Sequence, residues 1–303
     1  MRYIKSYKIY ESEIISNLTY DELMGKLLHL YGSIPVPKEK SSIVIQKIIQ
    51  STRKDFYQFG EVVDINYCKV HDKIRFSDYF HSLLRQKDIR GHNFEGLICG
   101  IFGGFLSTRG TKWDVTTNDK NYSVKFVDNK TKAPEIGKFK NIIESSSYVT
   151  AVRESGGLTR LFKSSNIELK RQIWDLISRS IDGWILSYPD DIENPSEIIV
   201  NVVSKALMWT ILSNGLVVAP KGGYNDYYSL ALSAKYRNID GIVTSKIKIP
   251  RVSKEELVNE WRNLEEENWA TKVFGEWGYK IRPDVLRYIK TNKTEIIKKL
   301  SEL

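Results

Sequence analysis

The chain has 303 residues, 41% apolar and 27% charged, with 46 Lys and Arg against 37 Asp and Glu, a formal net charge of +9. That composition supplies enough apolar mass for a packed core and excludes disorder as the main state. Cys68 and Cys99 are too few for a disulfide framework or a cysteine-rich zinc site, and the uncharged stretches 96–108 and 206–220 fall short of the roughly 18 apolar residues of a spanning helix.

The N-terminus alternates charged and apolar residues and has no apolar signal core, so a cytoplasmic, reducing location and no membrane partner are expected. The positive charge leans towards a polyanionic partner. In chain order, Thr19-Tyr-Asp-Glu22 is a capping box opening an apolar run through Leu23, Leu27, Leu28 and Leu30. Ser41 and Ser42 precede a second helix with Ile43, Ile45, Ile48 and Ile49, and Ser77 is expected to cap a third carrying Phe80, Leu83 and Leu84. Within His92–Leu106, apolar residues at Phe94, Leu97, Ile98, Ile101, Phe102 and Phe105 mark one helix face, with Glu95 at its border. The glycines of this stretch each cost about 1 kcal/mol of helix propensity relative to Ala, an expense that close packing against a sheet would offset.

A loop at 107–110 leads into an expected hairpin of Thr111–Thr117 and Tyr122–Val127, joined through Asn118–Asn121. Residues 128–165 read as loops with one or two short elements. Ile167–Ser178 and Pro195–Leu212 carry helical spacing, and Ile181–Tyr188 and Gly215–Ala219 read as strands. Ser253-Lys-Glu-Glu256 is a second capping box, opening a helical tail.

Side chains alternate faces along a strand. In the hairpin, Trp113 and Val115 therefore share a face, as do Tyr122, Val124 and Phe126. With those faces in the core, Asp114, Ser123 and Lys125 emerge together across the two strands. Glu95, on the preceding helix, is expected to reach the same place. The alternative for Asp114 and Lys125 is a solvated cross-strand ion pair, worth less than about 1 kcal/mol.

A helix glutamate, a strand aspartate, and a lysine two residues after a polar position some ten residues on resemble the PD-(D/E)XK nuclease superfamily. The resemblance covers about 35 residues, Glu95 to Lys125. It implies that Asp114 is the principal ligand of a Mg²⁺ ion, with Glu95 adding charge and the Val124 carbonyl completing the coordination. Lys125 would orient or deprotonate the attacking water. Ser123 stands where the family usually has a carboxylate, so the site has one negative charge fewer: either Glu95, Asp128 or Glu135 supplies it, or the metal is held loosely until DNA arrives, or the site is inactive. The chemistry is consistent: Mg²⁺ takes hard oxygen ligands and keeps several waters, and it acidifies a bound water.

The fold expected is α/β, with a restriction-endonuclease-like mixed β-sheet core flanked by helices at 90–252. A helical region at 1–89 and a helical tail at 253–303 complete one compact unit. The function expected is Mg²⁺-dependent type II restriction cleavage of double-stranded DNA by a homodimer, whose two-fold symmetry suits a palindromic site. The rivals are another nuclease of the superfamily, acting in repair, homing or phage defence, and a non-catalytic nucleic-acid-binding protein. Lys130 and Lys132, after the hairpin, are candidates to track the DNA backbone. Lys221, Tyr224, Asn225, Lys235, Arg237 and Asn238 are candidates for base reading or stacking. Tyr188-Pro-Asp190-Asp191 reads as a turn, and the four histidines show no metal-ligand spacing.

Overall fold

The computed structural model describes residues 38–85, 90–108, 111–128, 131–191, 195–219 and 227–253, with the single residues 255, 256, 259, 294 and 298. The expected helix after Thr19 lies outside them. The described chain is a mixed α/β molecule built on a curled sheet of seven strands.

Three helices cover the first face of that sheet: α1 (Lys38–Thr52), α2 (Val70–Arg85) and α3 (Arg90–Phe102). Helix α1 begins before Ser41, and α2 begins at Val70, leaving Ser77 in mid-helix rather than at a cap. Ile45, Ile48 and Ile49 of α1 and Phe94, Leu97, Ile98 and Ile101 of α3 are buried in one core, as their spacing required; Ile43, read with the α1 set, is instead 55% exposed, and Val44 is buried in its place. Helix α3 ends at Phe102, not Leu106, because Gly103 and Gly104 take positive φ angles of 75° and 110°. Phe105 consequently leaves the apolar stripe and is 64% exposed. The close approach that tolerates Gly100 is to another helix: a Cβ there would stand 2.5 Å from Ile45 of α1.

The strands β1 (Val62–Val63), β2 (Phe105–Leu106), β3 (Val115–Thr117), β4 (Lys120–Phe126), β6 (Gly183–Pro189), β7 (Glu197–Ser204) and β10 (Val243–Lys248) form the large sheet. Its order is β1-β10-β7-β6-β4-β3-β2, with β4–β6 and β1–β10 parallel and the other pairs antiparallel. The β3–β4 turn is tighter than expected. Thr117 pairs with Lys120, and Asn118 and Asp119 alone make the loop at φ of 50° and 57°, the backbone that a two-residue hairpin of primed type demands.

The second face carries its own core. Trp184 and Leu186 of β6 and Val203 of β7 pack under helices α7 (Ile167–Ile177) and α8 (Lys205–Ser213). A small sheet of β5 (Glu135–Lys138), β9 (Ser229–Leu232) and β8 (Val217–Val218) closes over them. The short helices α4 (Lys140–Glu144), α5 (Val149–Glu154) and α6 (Leu158–Lys163) occupy what reads as loop in the sequence. The segment Pro195–Leu212 is not one helix. It is β7 followed by α8, and Ser204, whose side chain accepts from Leu207 N, starts the helix. Two lysines close the C-termini of these helices reciprocally: Lys170 of α7 donates to Ser213 O at 3.1 Å, and Lys205 of α8 to Ser178 O at 2.8 Å.

Candidate active site

The site arises where β3 and β4 part. Strand β4 runs seven residues and β3 only three, so β4 continues along β6 after its partner on the other side has stopped. Asp114 stands at that point, one residue before β3. Its backbone N–H still donates to Tyr122 O at 2.9 Å, and its carbonyl accepts from Ser107 N at 3.0 Å. The next ladder donor, Val124 N–H, finds the Asp114 side chain instead of a backbone carbonyl, at 2.6 Å from Oδ2. Ser123 Oγ donates to the same oxygen at 3.0 Å and Lys125 Nζ at 3.2 Å.

Three donors thus converge on one carboxylate oxygen. The charge-assisted bonds fix the orientation of Asp114, while its side chain stays 27% exposed and that of Lys125 31%. Oδ1 takes no part in these contacts. In a strand, the N–H and C=O of one residue project to the same side. The Val124 carbonyl therefore faces the same gap as Asp114. One carboxylate oxygen and one carbonyl, completed by water and substrate oxygens, suit Mg²⁺, which needs few protein ligands. Among the described residues no group of three or more His, Cys, Asp or Glu gathers at one place.

The alternation read from the sequence is present in part: Trp113, expected in the core beside Val115, precedes β3, is half-buried and joins neither core. Val115, Tyr122 and Val124 are buried in the first-face core, and Lys125 lies in register with Leu186 of the second-face core. Glu95 is buried in α3, which packs on the first face, and is not among the groups that contact Asp114. Phe94 packs on Phe126 with ring centroids 4.8 Å apart, so the start of α3 lies level with the end of β4, where β3 has stopped. Asp128, one candidate for the missing charge, is ion-paired with Lys132. Glu135 sits on β5.

Of the residues expected to touch DNA, Lys130, Lys221, Tyr224 and Asn225 lie outside the described residues. Lys235 and Asn238 are exposed on a 3₁₀ turn, Ala234–Asn238. Tyr236, between them, is fully buried and Tyr228 nearly so, so these two rings of the aromatic segment serve the core. Arg237 turns back onto the protein. Its guanidinium lies over Tyr188 at 4.5 Å and Tyr236 at 4.9 Å, and Nη2 donates to Lys132 O at 3.3 Å. The sequence offered no signal for the Tyr188 platform, which became visible only once β6 was placed. Of the turn read at Tyr188-Pro-Asp190-Asp191, Tyr188 and Pro189 belong instead to β6, paired with Ile199 and Ile198 of β7; Asp190 follows the strand, and its Oδ1 accepts from Ser196 N at 2.9 Å and Glu197 N at 3.0 Å.

No protein-family model, curated protein or solved structure matches the chain. The described part is a mixed α/β protein with a helix-flanked, seven-stranded mixed sheet, and none of its helices is long and apolar enough to cross a membrane.

Proposed function

We propose that the protein is a Mg²⁺-dependent endonuclease of the PD-(D/E)XK type, a type II restriction enzyme that cuts double-stranded DNA as a homodimer. The observation that carries the reading is the convergence of Ser123 Oγ, Val124 N–H and Lys125 Nζ on one oxygen of Asp114 at the point where β3 stops. A solvated ion pair needs only the lysine. Here a backbone N–H of the strand ladder holds the carboxylate through Oδ2, which leaves Oδ1 outside the three bonds.

A bound Mg²⁺ would supply charge neutralisation at the phosphate and a more acidic water. Asp114 Oδ1 and the Val124 carbonyl would hold it. Lys125, whose Nζ lies 3.2 Å from Asp114 Oδ2, would as a hydrogen-bond donor orient the attacking water or stabilise the charge that develops on the phosphate. Ser123 holds Asp114 rather than adding ligand charge, which makes a neutral residue serviceable at that position.

Incubation with phage DNA and Mg²⁺, followed by sequencing of the ends, tests this. Discrete fragments are expected from the wild type. Asp114→Asn should yield none, and Lys125→Ala should cut at least about 100-fold more slowly, with salt-sensitive DNA binding kept in both. Smears or structure-dependent nicks would favour a repair or phage-defence nuclease. Unchanged cleavage in both variants would remove the site assignment.

A further inference from the structure

Arg237 is held in an unusual way for a surface arginine. Two tyrosine faces flank its guanidinium at 4.5 and 4.9 Å, and two backbone carbonyls, Lys132 O at 3.3 Å and Ala234 O at 3.5 Å, accept from Nη2 and Nη1. Its Nε is buried. None of the ion pairs among the described residues involves it. A guanidinium has five N–H groups in a planar fork, so one hydrogen on each Nη remains after the two carbonyls are served. The group is oriented and positively charged, and its remaining fork suits an oxyanion.

Its position follows from the strand register. Lys125 of β4 is aligned with Leu186 of the parallel strand β6, and Tyr188 lies two residues further along on the same face. One strand across and two residues along place Tyr188 about 8 Å from Lys125, backbone to backbone. The guanidinium over Tyr188 therefore lies on the side of the sheet to which Ser123 and Lys125 point, with β4 between Tyr188 and Asp114.

We infer that Arg237, stacked on Tyr188 and Tyr236, is a phosphate-holding residue that grips the sugar–phosphate backbone of the strand presented to Asp114. The inference rests on the nuclease reading and deepens it. Arg237 positions the strand without reading bases, so its contribution is the same for every sequence.

The test is a binding titration by fluorescence anisotropy, with labelled duplexes of several sequences across a salt series. Every protein carries Asp114→Asn so that nothing is cut. Adding Arg237→Met should weaken binding about tenfold for all duplexes and lower the slope of log K against log salt by about one. Tyr188→Leu should weaken binding with the slope intact, because the charge stays but its platform is lost. If Arg237→Met does not fold, Arg237→Lys decides: it keeps the charge and loses the fork, so the slope should hold while affinity drops. Unchanged affinity in Arg237→Met, or in Arg237→Lys if that variant decides, would overturn the inference, as would a loss confined to one sequence, and in both cases the nuclease reading would stand. Failure of the Asp114→Asn parent to bind any duplex would bring down that reading and this inference together.

Discussion

At the residue scale, Asp114 is held by groups that differ in what each can contribute. The Val124 N–H at 2.6 Å is part of the backbone and is lost only with the strand. The Ser123 hydroxyl, on a side chain almost fully buried, is a neutral donor at 3.0 Å. Ser123→Ala removes that donor but leaves two others on the carboxylate. It should cost about 1 kcal/mol of stability, read as a small drop in the urea midpoint, and should slow cleavage by less than tenfold. A loss as deep as that of Lys125→Ala would mean that the serine itself touches the metal or the substrate. The convergence of Asp114, Ser123 and Lys125 was legible in the sequence because strand alternation has a period of two and allows no intermediate answer. The position of Glu95 was not, because helical spacing gives a face and not the depth at which a side chain sits.

At the scale of elements, the contact between α1 and α3 is set by Gly100. Ala would gain about 1 kcal/mol in helix propensity, yet its Cβ would meet Ile45 at 2.5 Å and Ser42 O at 3.2 Å. Overpacking of this kind costs about 1–3 kcal/mol, so Gly100→Ala should lower the melting temperature despite the better propensity; a rise would show that the two helices can move apart freely. The β6–β7 connection has a different dependence. Burial pushes the Asp190 carboxyl up, but hydrogen bonds from Ser196, Glu197 and Asp191 outweigh it and hold the group below its ordinary value. The carboxylate therefore stabilises the fold above its unfolded pKa of about 3.9, and this contribution fades as pH falls through the lower folded value. Asp190→Ala should cost about 2 kcal/mol near neutral pH and progressively less below pH ~4, a trend that denaturant melts along a pH series will reveal. These elements also show where sequence reading failed. Glu197–Val203 is apolar at most positions because both faces of β7 are covered, and a doubly buried strand has no period to distinguish it from a helix. The short helices α4, α5 and α6 were hidden for the opposite reason, since segments of five or six residues are too short to display a face.

At the scale of the whole molecule, two cores share one sheet, and β6 belongs to both. Ile185 points into the first core, and Trp184 and Leu186 into the second. Trp184 is fully buried, packs on Trp174 with centroids 5.3 Å apart, and is in register with Ser123 of the site. The second-face core is therefore the floor on which Ser123 and Lys125 rest. With the strands common to both layers, neither face can lose its packing while the other keeps its sheet. The described region should accordingly unfold in one transition, with tryptophan fluorescence and far-UV circular dichroism coincident in urea. Trp184→Ala should remove about 3–5 kcal/mol, move both signals together to lower urea, and cut DNA more slowly even under conditions where it is fully folded, because the strand beneath Lys125 loses its support. A fluorescence transition that precedes the loss of secondary structure would instead show that the helices and small sheet of the second face melt from the large sheet as a unit of their own.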